Sequence, residues 1–126
     1  MKKRAEEFNL LIVDDEEGIR ESLTCHFEID GFNIFTASGG IEALEVVKLH
    51  PIDFVISDVR MPEGDGIMLL KEIRKRNLEV PVVVMVTGFA ELTPEEAKEL
   101  GALDLLSKPF DVGKLESYIQ QFVLQE

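Results

Sequence analysis

The sequence predicts an α/β fold in which helices cover both faces of one parallel β-sheet. Two features of its 126 residues predict this fold. Short, continuous apolar runs, which are typical of buried strands, alternate five times with segments whose apolar residues recur at helical spacing. Glycine or proline stands at most of the changes between the two patterns, where the chain has to turn.

The first half of the chain predicts three strands and two helices. The first helix has Ile19, Leu23 and Phe27 at helical spacing and ends before Gly31. The second helix follows a glycine break and ends at Pro51, which cannot continue it. The predicted strands span residues 8–13, 32–37 and 53–57, the first helix spans 16–30, and the second carries Ile41, Leu44 and Val47.

The second half predicts two more strands and three helices. Basic residues 74–76 suit the end of the third helix, where the helix dipole favours cations. The fourth helix begins with a capping box of Thr93 and Glu96, with Pro94 at its first position. The predicted strands span residues 80–86 and 103–107, the third helix carries Ile67, Leu70 and Ile73, Gly101 closes the fourth, and the fifth carries Leu115, Ile119, Phe122 and Val123.

This alternation favours a flavodoxin-like, doubly wound (βα)5 fold, because right-handed crossovers between parallel strands give the strand order 2-1-3-4-5. The length fits one domain over residues 1–126, with a core over about residues 8–124. Folds of this kind bind ligands at the carboxyl ends of their strands.

Composition and charge exclude several functions. The chain has 13 Lys and Arg against 25 Asp and Glu, a formal net charge of −12, so we expect it to bind neither nucleic acid nor an anionic membrane surface. Its single cysteine, Cys25, excludes an internal disulfide and a multi-cysteine zinc site and favours a reducing cytoplasm. The apolar run at residues 10–13 is too short for a signal peptide or a membrane span.

Polar residues follow four of the predicted strands. Close carboxylates are tolerated where a hard cation joins them, and oxygen ligands with room for water suit Mg²⁺ better than zinc. A carboxylate beside Mg²⁺ is a nucleophile for a phosphoryl group, to which threonine donates a hydrogen bond and lysine adds a positive charge. Asp14 and Asp15 follow the first strand, Asp58 ends the third, Thr87 ends the fourth and Lys108 ends the fifth. Together, these five polar residues predict the transfer of a phosphoryl group to an aspartate.

Taken singly, each of these residues also fits a helix cap, a turn or a solvated loop end. Their order along the chain, however, resembles the receiver domain of two-component response regulators. The loop from Asp58 to Gly66 matches the family pattern D-x-x-M-P-x-x-[DG]-G. The segment from Gly101 to Phe110, which ends in Lys-Pro-Phe, is similar to the family's last strand and loop. The resemblance covers about residues 8–124.

The resemblance implies a magnesium site. Asp15 would ligate Mg²⁺ directly, and Asp14 would assist, partly through water. Asp58 and the backbone carbonyl of Arg60 would be the other protein ligands.

The resemblance also implies a switch driven by phosphorylation. Asp58 would accept a phosphoryl group from a sensor histidine kinase or a phosphotransfer protein. Thr87 would move to hydrogen-bond that group, and Lys108, followed by a cis bond to Pro109, would pair with it. An effector domain or protein would bind the surface of the fourth helix, fifth strand and fifth helix, where phosphorylation would also favour a homodimer. The domain would catalyse only its own aspartyl phosphorylation and dephosphorylation.

The sequence departs from the family at one position and is distinctive at two others. Leu105 stands three residues before the lysine, where the family often has Tyr or Phe, so we expect no aromatic rotamer switch there. Phe89 and Arg60 stand two residues after the threonine and the phosphoacceptor, at positions that tune the lifetime of the aspartyl phosphate in the family. Their bulk predicts a longer lifetime, because it would hinder the attacking water.

Three other functions fit parts of the pattern. A phosphohydrolase of the haloacid dehalogenase type also uses a strand-end Asp, a Thr, a Lys and Mg²⁺, but its nucleophile opens a D-x-D motif where this chain has Arg60. A flavin-binding module needs hydroxyl and glycine residues where this chain has four acidic residues, 14–17. A phosphate-independent interaction domain would keep the fold without the reaction.

Overall fold

The computed structural model describes residues 2–88, 92–109 and 111–124. The strands are β1 Asn9–Val13, β2 Asn33–Ala37, β3 Phe54–Asp58, β4 Val82–Thr87 and β5 Asp104–Ser107. The helices are α1 Glu17–Glu28, α2 Gly40–Leu49, α3 Gly66–Arg76, α4 Pro94–Glu99 and α5 Val112–Gln120. The strands are all parallel and form one sheet in the order β2-β1-β3-β4-β5, which confirms the predicted flavodoxin-like fold.

The register of the strands brings their carboxyl ends to one edge of the sheet. β1 ends beside β3, so the acidic pair that follows β1 reaches the end of β3. Asp58 pairs with Val86, and Thr87 pairs with Ser107, which directly precedes Lys108. The polar residues that the sequence placed after four separate strands are therefore neighbours in space.

Each face of the sheet carries its own apolar core, because successive strand residues point to opposite faces. One core joins the sheet to α2, α3 and α4, and the other joins it to α1 and α5. Leu10 and Leu11, neighbours in β1, belong to opposite cores and are both fully buried. Burial on both faces explains why the strands are continuous apolar runs.

The sequence prediction was wrong at the end of the last helix. α5 ends at Gln120, so Phe122 and Val123 lie beyond it although their spacing continues its apolar stripe. Val123 instead forms a parallel bridge with Lys3, whose N–H donates to the carbonyl of Phe122. Both side chains still pack on the core of α1 and α5, so their apolar character is satisfied without a helix. A 3-10 turn at Ala5–Glu7, which the pattern did not indicate, precedes β1.

Other boundaries follow from local chemistry. β4 begins at Val82 rather than at residue 80, since Pro81 has no N–H to donate to a neighbouring strand. The peptide bonds before Pro81 and Pro109 are cis, the second as expected. Thr93 and Glu96 form the predicted capping box. In the described part of the chain, no helix combines the length and apolar character that a membrane crossing requires.

A part-buried polar pair joins β5 to α5. The hydroxyl of Tyr118 donates a hydrogen bond to Asp104, which is only 7% exposed. Asp104 also accepts from the backbone N–H of Leu105 at 2.8 Å. The hydrogen bond to Asp104, followed by burial, raises the pKa of Tyr118 to about 12.

The titration of Tyr118 tests this pair, because it is the chain's one tyrosine and phenolate absorbance reports it alone. We expect the wild type to titrate near pH 12 and Asp104→Asn near the ordinary value of 10.0. The raised pKa means that the bond stabilises the fold fully below about pH 10 and is lost as the pH rises toward about 12. Asp30→Asn, which removes an exposed carboxylate just after α1, should titrate like the wild type. Equal midpoints in wild type and Asp104→Asn would contradict the assignment.

Candidate functional site

An open cavity of about 620 Å³ lies at the carboxyl edge of the sheet. Asp15, Asp58, Arg60 and Lys108 line it, together with other residues of the loop after β3. Asp58 is 6% exposed, whereas Asp15 is exposed to solvent. Asp14 and Thr87 are buried beside this group, at the ends of β1 and β4.

The ammonium group of Lys108 joins two buried carboxylates. Its Nζ lies 3.0 Å from Oδ2 of Asp14 and 3.0 Å from Oδ2 of Asp58. Oε1 of Glu16, at the mouth of the cavity, is 3.9 Å from the same nitrogen. The backbone N–H of Lys108 donates to the carbonyl of Thr87 at 2.7 Å, which fixes the start of the side chain beside β4. One cation thus holds together carboxylates from two different strands.

Burial and charge shift the pKa values of this group. Burial raises the pKa of Asp58 above its ordinary value, and the nearby charge of Asp14 adds to the rise. The hydrogen bond from Lys108 and the backbone N–H of Arg60 oppose it without cancelling it. Burial also works against the charge of Lys108, but its hydrogen bonds to Asp14 and Asp58 outweigh burial and raise its pKa. The charged form of Asp58 is therefore costly in this position, and another cation nearby would lower that cost.

The three carboxylates of Asp14, Asp15 and Asp58 suit a metal ion. One oxygen from each lies within 4.8 Å of the other two. The donors are hard oxygens, and the exposed side of Asp15 leaves room for water, which is the environment that Mg²⁺ prefers. The donor set thus fits the ion that the sequence pattern suggested. The part of Arg60 in a metal site stays a prediction; the structure places its backbone N–H on Asp58.

Local backbone contacts hold the acidic residues in place. The N–H of Asp14 donates to the carbonyl of Ala37 at 3.1 Å, which continues the pairing of β1 with β2. Oδ1 of Asp14 accepts from the N–H of Glu16 at 2.9 Å, so its side chain also caps the turn into α1. Gly66 lies so close to Asp58 that a Cβ atom would come within 2.2 Å of the Asp58 carbonyl oxygen. The glycine that ends the loop motif is therefore required by this close approach.

The structure brings together Asp14, Asp15, Asp58 and Lys108, and it places Thr87 at the adjacent strand end. Leu105 is buried in β5. The position at which the family often has Tyr or Phe is therefore occupied by a buried leucine. Phe89 and Phe110, which the sequence argument also used, lie outside the described residues.

Two contacts were not foreseen from the sequence. Lys108 pairs with Asp14 as well as with Asp58, although the two carboxylates follow different strands. Arg20 of α1 donates from Nη1 to the backbone carbonyl of Asp14 at 2.6 Å. The signal for Arg20 was its position in the first turns of the helix that follows the acidic pair, within reach of the end of β1.

Residues 10–120 match the family model of the response regulator receiver domain. The regulatory protein AtoC of Escherichia coli (strain K12) is 43% identical over 114 residues, which are 89% of this chain and 24% of AtoC. Sporulation initiation phosphotransferase F of Bacillus subtilis (strain 168) is 36% identical over 115 residues, which are 90% of this chain and 92% of that protein. The chain therefore spans about a quarter of one relative and nearly all of the other.

Solved structures show the same fold. The CheX-CheY-BeF3-Mg²⁺ complex from Borrelia burgdorferi contains a chain that is 36% identical, with a TM-score of 0.82. The match covers 93% of this chain and 90% of that one.

The raised pKa of Asp58 predicts that this carboxylate destabilises the metal-free fold at neutral pH. The folded state binds the proton of Asp58 more tightly than the unfolded chain does, so stability is lost as the pH rises from 3.8 through the raised value. In urea unfolding with EDTA, we expect Asp58→Asn to be more stable than the wild type at neutral pH, with a gain that shrinks as the pH falls toward about 4.

Glu63→Gln is the matched control, because Glu63 is an exposed acid in the loop after β3. It should leave the stability of the fold unchanged. An Asp58→Asn variant that is less stable than the wild type at neutral pH would show that the ion pair with Lys108 outweighs the cost of burial.

Proposed function

Because the chain belongs to the response regulator receiver domain family, whose members are signalling domains, we propose that Asp58 accepts a phosphoryl group from a sensor histidine kinase or a phosphotransfer protein. One observation carries the proposal: three carboxylates and one ammonium group meet at the carboxyl edge of the sheet. Asp58 suits the role of acceptor, since it lines the cavity beside Lys108 and close to the end of β4, whereas the side chain of Asp14 is only 2% exposed.

We assign Mg²⁺ as the cofactor, held by Asp14, Asp15 and Asp58 with the backbone carbonyl of Arg60 as a further ligand. The spacing of the three carboxylates and their oxygen-only chemistry support this assignment. When bound, the ion supplies positive charge that offsets the charge of the phosphoryl oxygens. The similar chain from Borrelia burgdorferi belongs to a complex with BeF3 and Mg²⁺, which agrees with this proposal.

In the proposed reaction, a carboxylate oxygen of Asp58 attacks the phosphorus of a phosphohistidine in the partner. A P–O bond forms, the P–N bond breaks, and its electron pair leaves with the imidazole nitrogen, which takes up a proton. Lys108 exchanges its contact with Asp58 for a phosphoryl oxygen and neutralises part of its charge. Water later attacks the same phosphorus, the P–O bond to Asp58 breaks, and inorganic phosphate leaves while the carboxylate of Asp58 is restored. The domain would catalyse only its own phosphorylation and dephosphorylation.

The same group would drive a conformational switch. Phosphorylation adds charge and acceptor oxygens beside Thr87 and Lys108, which the pairing of β4 with β5 links. If these side chains bind the phosphoryl group better in one conformation, the equilibrium shifts toward it. An effector domain or protein would then bind the surface of α4, β5 and α5, where a homodimer would also form. Leu105 is buried in β5, so this switch would work without an aromatic side chain at that position.

The extent of the domain, its cellular compartment and the lifetime of its phosphoryl group belong to the same proposal. Residues 1–126 would form one receiver domain, in the reducing cytoplasm that suits the exposed thiol of Cys25. Arg60 is exposed at the cavity and would slow hydrolysis by hindering the attacking water, as would Phe89.

Phosphorylation of the chain tests the acceptor directly. After incubation with Mg²⁺ and acetyl phosphate, we expect the intact mass to rise by one phosphoryl group that is stable in acid and labile in base. The gain should be absent in EDTA and in Asp58→Asn. Asp30→Asn, an exposed acid at the end of α1, should be phosphorylated like the wild type.

Phosphorylation of Asp58→Asn to the wild-type extent would contradict Asp58 as the acceptor. No gain in any variant, together with no binding of beryllofluoride in NMR spectra, would favour a phosphate-independent interaction domain.

The switch has its own test in the fluorescence of Tyr118, which reports on α5. We expect phosphorylation to change the fluorescence of the wild type, and we expect Thr87→Ala to accept the phosphoryl group but to lose most of that change. Thr87→Ser keeps the hydroxyl that binds the phosphoryl oxygen and should keep most of the change. A full change in Thr87→Ala would show that the hydroxyl of Thr87 plays no part in the switch.

A further inference from the structure

Arg20 makes a contact that the proposed reaction does not use. It lies in α1, is half-buried, and its Nη1 donates to the backbone carbonyl of Asp14 at 2.6 Å. Glu17 and Glu21 line the same groove beside α1. Among the described residues, Arg20 forms no ion pair with either carboxylate, and its guanidinium donates to a backbone oxygen at the edge of the site.

The carbonyl that Arg20 holds belongs to the peptide unit between Asp14 and Asp15. Because a peptide unit is planar, fixing its oxygen also fixes the direction in which the chain enters Asp15. The other polar groups of Asp14 have their own partners: its N–H donates to Ala37, Oδ1 accepts from Glu16, and Oδ2 accepts from Lys108. Among these contacts of Asp14, the hydrogen bond to its peptide oxygen is therefore the one that Arg20 donates.

Of the three carboxylates, Asp15 is the one that Lys108 does not hold in place. It is exposed and lines the cavity, while its two carboxylate neighbours, Asp14 and Asp58, are each held by Lys108. Its side chain belongs to the three carboxylates whose oxygens lie within 4.8 Å of one another. We propose that Arg20 is a positioning residue for the metal site: by holding the Asp14–Asp15 peptide, it orients Asp15 toward Mg²⁺ and raises the affinity of the site. This inference rests on the proposed function.

Charge and position predict opposite effects of removing Arg20. By Coulomb's law alone, a cation beside the site repels Mg²⁺, so its loss would strengthen binding. Loss of a residue that orients a metal ligand weakens binding, commonly by about tenfold or more. The direction in which the affinity for Mg²⁺ changes therefore distinguishes a residue that positions a metal ligand from one that acts only through its charge.

The test is calorimetric titration of the intact chain with MgCl2. We expect Arg20→Ala to weaken Mg²⁺ binding by about tenfold. Arg20→Lys keeps the charge but replaces the planar fork with a single flexible ammonium group, so it should restore part of the affinity. Arg76→Ala removes an exposed arginine at the end of α3 and should bind like the wild type.

Phosphorylation kinetics give a second readout. In Arg20→Ala, the Mg²⁺ concentration for half-maximal phosphorylation by acetyl phosphate should rise, while the rate at saturating Mg²⁺ stays near that of the wild type. Loss of a residue that only stabilises the fold would not raise the Mg²⁺ requirement while leaving the rate at saturating Mg²⁺ unchanged. If Arg20→Ala does not fold, Arg20→Lys decides, and an affinity lower than that of the wild type is expected.

Unchanged or tighter Mg²⁺ binding in Arg20→Ala, or in Arg20→Lys where that variant decides, would overturn the inference. Asp15→Asn separates this outcome from failure of the proposed function. If Asp15→Asn loses Mg²⁺ binding while the Arg20 variant keeps it, the inference about Arg20 fails and the proposed function stands. If the wild type binds no Mg²⁺, both fail.

Discussion

The ion pairs of Lys108 are the contacts on which the functional edge of this molecule depends. Two buried carboxylates from different strands would repel each other, and a single ammonium group 3.0 Å from each holds them together. The arrangement raises the pKa of Asp58, because burial makes its charged form costly and a nearby cation would lower that cost. The spacing of Asp14, Asp15 and Asp58 supports the proposed magnesium site, in which a bound cation would offset the repulsion among these carboxylates.

The pairing of the strands holds these charged groups close together. The pairing of β4 with β5 sets Lys108 beside Thr87, and the pairing of β1 with β3 brings Asp14 to Asp58. Gly66 lets the loop after β3 return so close to the sheet that no larger residue fits. The apolar cores pack both faces of the sheet against the helices, and in the proposed switch a change in charge at this edge would act on α4, β5 and α5 through these packed elements.

Most of the fold, and the convergence of these polar residues at one edge, could be predicted from the sequence, since each of them lies at or directly after the end of an apolar strand and parallel strands end together. The pairing of Lys108 with Asp14 could not, because it depends on side-chain reach across two strands. The contact from Arg20 was missed for a similar reason: its position early in α1 was visible in the sequence, but no residue type marks the backbone oxygen that accepts its hydrogen bond. Apolar spacing also extended α5 over Phe122, which is packed on the core but lies outside the helix.

The most direct measurement is a crystal structure of the chain with Mg²⁺ and beryllofluoride, which mimics the phosphoryl group. We expect beryllium on a carboxylate oxygen of Asp58, Mg²⁺ on Asp15 and Asp58, and Nζ of Lys108 moved from Asp58 to a fluorine atom. Beryllofluoride at another residue, or an ordered site in which Lys108 keeps its contact with Asp58 and Mg²⁺ binds elsewhere, would contradict it.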